Sequence, residues 1–156
     1  MNIFIYTLIW LIPFLVIIKD IIRDFKNYLK IYAVGFIVAV VIENLMIRYG
    51  FLTHNLPLKL LGIPLVVYLL YIFYFSFVYR IAKLAKNKNL FYLLVFISSA
   101  LLGFLFDISA INFGYWQHLL DSEIFNVSVL APLGEGIMFL IIFLIFGSIK
   151  PNSKNK

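Results

Sequence analysis

LLGFLFDISAINFGYW, residues Leu101–Trp116, sets one aspartate inside an almost unbroken apolar run. What Asp107 does there depends on the solvent around it, and the rest of the chain identifies that solvent. Of 156 residues, 64% are hydrophobic and 13% charged, and mean hydropathy is +1.05. Soluble domains are roughly 45–50% apolar and about 25% charged. The composition reads as an integral membrane protein, in which a buried carboxylate is costly to insert and marks a candidate functional site.

Apolar spans lie near 2–18, 31–47, 60–79, 90–112 and 126–147. Each approaches the roughly 20 residues that an α-helix needs to cross the hydrocarbon layer. The expected fold is therefore all-α, a single polytopic bundle of about five transmembrane helices with a short basic tail at 148–156. The first span lacks a basic leader and a small-residue cleavage site, so it reads as a retained helix. No linker, internal repeat or low-complexity run divides the chain. The absence of cysteine excludes disulfides, thiolate nucleophiles and iron–sulfur ligation.

All thirteen basic residues except Arg48 and Lys59 fall after the first span, after the third, or in the tail. Because basic residues favour cytoplasmic loops, the N-terminus is expected outside and the C-terminus in the cytoplasm of a multi-pass cell-membrane protein. The net charge of +6 is then explained by anchors beside anionic lipid, and no nucleic-acid partner is expected. Self-association as a homo-oligomer is left open.

With that orientation Asp20, Asp24, Asp121 and Glu123 are loop acids, whereas Glu43, Asp107 and Glu135 lie within spans. Counting at about 1.5 Å per residue places all three roughly 7–14 Å below the outer surface. Their helical rows also carry small residues: Gly35 and Ala39 with Glu43, Ser99 and Gly103 with Asp107, Ser128 and Ala131 with Glu135. Small residues mark close helix packing, so the acids are expected to face protein. Either they are polar glue, bonded to one another, to Asn44 or to Arg48, or they line a pocket. Pro132, Gly134 and Gly136 around Glu135, with Gly62 and Pro64 before the third helix, favour loosened backbone beside a cavity.

Tyr68, Tyr71 and Trp116 are the candidate substrate-contacting aromatics. His54 and His118 lie in the two outer loops, but no metal-binding spacing accompanies them, and neither a metal nor a cofactor is expected.

The segments YGFLTHNLPLKLLGIPLVVYLLY, FDISAINFGYW and APLGEG together resemble membrane carotenoid-biosynthesis proteins, the bisanhydrobacterioruberin hydratase and carotenoid 1,2-hydratase family. That resemblance covers about two-thirds of the chain and implies a lyase acting on a long isoprenoid. Such chemistry protonates an alkene carbon, stabilises the tertiary cation and delivers water, and cyclisation of a polyene end needs the same groups. Asp107 is the expected proton donor, with Glu43 or Glu135 positioning water. The rival readings are proton or cation transport and a lipid-binding or accessory subunit whose carboxylates are structural.

Overall fold

A computed structural model of the chain describes residues 3–56, 58–118, 123–124, 127–128 and 130–145. Five helices dominate these residues: α1 (Ile3–Arg23), α2 (Phe25–Arg48), α3 (Leu65–Ala82), α4 (Lys88–Asn112) and α5 (Leu130–Ile145). Three of them, α2, α3 and α4, are long and apolar enough to cross a membrane, while α5 is apolar over 16 residues. The expected basic tail and the end of the expected fifth span lie outside the described residues.

Charge ends the apolar spans without ending the helices. Only Asp24 separates α1 from α2, so the basic stretch from Lys19 to Lys30, read as a loop, is helical. Lys and Arg are good helix formers, and polarity takes a helix out of an apolar layer without unwinding it. The third helix starts five residues later than its apolar span. Leu61 and Gly62 have φ of 50° and 82°, the left-handed pair that a two-residue hairpin requires, and they join β2 (Lys59–Leu60) to β3 (Ile63–Pro64). Pro132 does not loosen α5, because it falls in the first turn, where a missing N–H breaks no helical bond. Ser128 lies before the helix, where its Oγ accepts a bond from the Leu130 amide at 3.3 Å.

The all-helical expectation left out three two-stranded ribbons found among the described residues. Besides β2–β3, β5 (Glu123–Ile124) pairs with β6 (Val127–Ser128), and β1 (Leu52–His54) pairs antiparallel with β4 (Trp116–His118). The last ribbon exposes a repeat that the linear reading missed. Both α2 and α4 end in a Schellman motif: Gly50 N bonds Ile47 O and Phe51 N bonds Met46 O, as Gly114 N bonds Ile111 O and Tyr115 N bonds Ala110 O. Each glycine adopts positive φ and leads directly into β1 or β4.

The two stretches share one spacing: Glu43, six residues, Gly50-Phe51, two residues, His54; then Asp107, six residues, Gly114-Tyr115, two residues, His118. Thr53 pairs with Gln117, its own equivalent, so a local twofold axis passes through the ribbon. Helix, strand, hairpin and helix follow in the same order in both halves, which makes this a parallel duplication with α1 added in front.

α3 is the central helix. Phe75, Val78, Tyr79 and Ala82 are fully buried, and Phe139 of α5 packs 4.4 Å from the Tyr74 ring and 5.1 Å from the Phe75 ring. Trp10 of α1 covers Phe73 and Phe106. Gly35 lets α2 approach α3, since a Cβ there would sit 2.7 Å from the Phe75 ring. Large apolar residues on the outer faces, among them Val16, Ile37 and Leu101, are exposed.

At the end where α1 and α3 finish and α2 and α4 begin, Lys83 is clamped. Its Nζ lies 2.5 Å from Asp20 and 3.3 Å from Asp24, and between the rings of Tyr28 and Tyr79 at 5.2 and 5.0 Å. The tyrosine hydroxyls donate to the same two carboxylates, at 2.6 Å to Asp20 and 2.9 Å to Asp24. These two acids are therefore members of a compact ionic cluster rather than loop acids.

Candidate functional site

A cavity of about 330 Å³ opens at the opposite end, where α2 and α4 finish and α3 and α5 begin. Glu43, Asp107 and Glu135 all line it, each brought by a different helix. The row Tyr28, Ile31, Gly35, Ala39 and Glu43 is the buried face of α2, and Ser99, Gly103 and the half-buried Asp107 share a face of α4. These are the faces that the small residues marked.

Glu43 has two side-chain partners, and neither is Asn44 or Arg48, which the polar-glue alternative names. Tyr71 donates to Oε1 at 2.7 Å, and His54 Nε2 lies 3.0 Å from Oε2. Asn44 instead donates to the carbonyls of Val40 and Leu61, and Arg48 is exposed. The His54 side chain is 2% exposed, so it is no solvated loop residue. It is held there by β1, whose partner strand places Trp116 opposite it, and by the bond from Asn55 N to Tyr115 O.

Glu135 is differently placed. Its Oε2 is buried without a hydrogen-bond partner in a cavity that also holds Asp107. Gly103 makes room for it: a Cβ on Gly103 would lie 2.8 Å from Glu135 Cγ and 2.7 Å from the Tyr74 hydroxyl. That hydroxyl donates to the carbonyl of Ser99.

Of the aromatics proposed from sequence, Tyr71 lines the cavity and Tyr68 does not. Tyr68 is half-buried and donates to the Leu60 carbonyl at 2.9 Å, under the β2–β3 hairpin. Trp116 stands on β4, and its side chain, like that of His118, lies outside the described residues. Sequence reasoning missed Tyr74 and the buried role of His54. The signal for Tyr74 was present, because Val67, Leu70, Tyr71 and Tyr74 follow the i, i+3, i+4, i+7 pattern of one helix face, and all four line the cavity.

Among the described residues no three His, Cys, Asp or Glu side chains form a metal-binding group. The remaining walls are apolar, so the site joins acid–base groups and two tyrosine rings to a surface that suits hydrocarbon. No protein-family model matches the chain, and neither a curated protein nor a solved structure matches it at a significant level.

Proposed function

We propose that this chain is a multi-pass cell-membrane enzyme, with five transmembrane helices, N-terminus outside and C-terminus cytoplasmic, that protonates a C=C bond of a long isoprenoid such as a carotenoid. The observation that carries this reading is the convergence of three carboxyl groups from three helices on one apolar cavity. Ionisable groups within apolar spans are costly to insert, which makes them candidates for function.

The chemistry divides among the residues as follows. Asp107 transfers its proton to the alkene carbon, whose π pair becomes the new C–H bond, leaving a tertiary cation. The faces of Tyr71 and Tyr74 and the neighbouring carboxylate stabilise that cation. Water then adds to it and loses a proton to Glu43, giving an alcohol; in the cyclising variant an internal double bond closes the ring, and an adjacent C–H yields the proton instead. Glu43 suits this role because Tyr71 and His54 hold its orientation. Glu135 lines the same cavity as both other acids, so a proton passed through it from Glu43 to Asp107 restores the starting state. A transport reading finds less support, since fully buried Phe75, Phe139 and Val78 fill the bundle between the cavity and the Lys83 cluster.

Asp107→Asn tests the proposal in membranes that accumulate an acyclic carotenoid, with products resolved by chromatography. Loss of general-acid transfer should lower turnover by about 10²–10⁴-fold while the protein remains folded. If Asp107 is only polar glue, Asn keeps full function and Ala is the damaging change. A fully active Asn variant sinks the catalytic role of this residue.

A further inference from the structure

We infer that the mouth of the cavity, lined by α2 and the start of α5, is a side portal through which the tail of an isoprenoid substrate passes, and that Gly134 stands at its edge. This rests on the reading of the cavity as an isoprenoid site. The cavity is chemically two-ended. Glu43, His54, Tyr71, Tyr74, Asp107 and Glu135 are the ionisable groups among its described lining residues, whereas the exposed lining residues, Phe51 with Leu130 and Gly134 of α5, carry no polar side chain. Leu130 and Phe51 are exposed at 57% and 39%, and Ile42 and Met46 of α2, also in the lining, are half-buried.

Size agrees with chemistry. About 330 Å³ is near the lower limit of the roughly 300–1,000 Å³ of small-molecule pockets. It holds the end of a long prenyl chain and leaves the remainder outside. On the flank of a bundle with membrane-length apolar helices, the surroundings that accept that remainder are lipid.

The glycines near the cavity differ in what surrounds them. Gly103 and Gly136 are forced by neighbours, because an added Cβ would meet the Tyr74 hydroxyl at 2.7 Å or the Phe96 ring at 2.6 Å. At Gly134 an added Cβ meets no atom of the described residues within 4 Å, and no positive φ requires glycine there. Inside a helix glycine is about 1 kcal/mol less favourable than alanine. Gly134 is therefore a position where a large side chain can narrow the mouth without meeting a described neighbour at its Cβ.

The test measures retention of radiolabelled geranylgeraniol and of the shorter geraniol by purified protein in detergent, alongside its melting temperature. Gly134→Ala should bind both prenols like the wild type and melt at the same or a higher temperature. Gly134→Trp should lose geranylgeraniol at least about tenfold and geraniol by less than about threefold, since the short chain fits inside the rim. Met46→Trp, across the mouth on α2, should reproduce that selective loss by an independent route if the α5 variant folds poorly. Unchanged geranylgeraniol binding in folded Trp variants, or equal losses of both prenols, overturns the portal alone. Wild-type protein that retains neither prenol overturns the isoprenoid reading and the portal with it.

Discussion

Gly103 shows how one missing methyl group shapes the site. Alanine there would press on the Tyr74 hydroxyl and on Glu135 Cγ at once, and both are embedded groups that the cavity needs in place. Gly103→Ala should destabilise the protein by about 1–3 kcal/mol, the usual range for overpacking. Leu105→Ala, on the exposed side of the same helix, should stay within about 0.5 kcal/mol. Thermal melting in detergent compares them, and equal effects would show that Gly103 is not the close contact. Gly103 and the three acids were legible in the sequence because helical rows and buried charge are local signals. His54 was not. Its burial depends on β1 pairing with a strand 64 residues further along, and no local pattern carries that information.

Among the elements, the junction of α1, α2 and α3 depends most on charge. Burial alone would raise the Asp20 carboxyl, but hydrogen bonds from Lys83 and Tyr28 and the charges of Lys83 and Arg80 outweigh it and hold the group below its ordinary 3.8. A carboxylate lowered by folding contributes stability that is complete above 3.8 and is lost as pH falls through the lower native value. Wild-type melting temperature should therefore drop across that acid window, and Asp20→Asn should flatten the drop while lowering stability at neutral pH. Lys83→Met removes the cation shared by two carboxylates and should cost roughly 1–3 kcal/mol, below the value for a fully buried pair because the cluster is partly solvated. A neutral Lys83→Met would mean that tyrosine packing alone holds the junction. The sequence placed Asp20 and Asp24 in a loop, because apolar spans report where lipid ends and say nothing about where helical bonding ends.

For the molecule as a whole, the basic asymmetry remains the basis of the proposed orientation. Reporter fusions after Asn87 should read cytoplasmic, and fusions near His54 and His118 should read outside; a cytoplasmic signal beside His118 would invert it. The broad helical plan was legible because apolar length and charge act along the chain. The duplication was not, because the two halves share a spacing of acid, glycine, aromatic residue and histidine with few identical letters between them. The β1–β4 ribbon carries a consequence for biogenesis. Strand β1 is synthesised early, yet its partner lies beyond two further helices, so closing it means ordering a long loop before any strand bond forms. Since chains are built from the N-terminus, Glu43 and His54 leave the ribosome well before the strand that fixes them, and Glu135 arrives later still. Nascent protein therefore passes through a stage in which Glu43 and His54 are made while the strand that pairs with β1 is not, so His54 reaches its place beside Glu43 only late in synthesis.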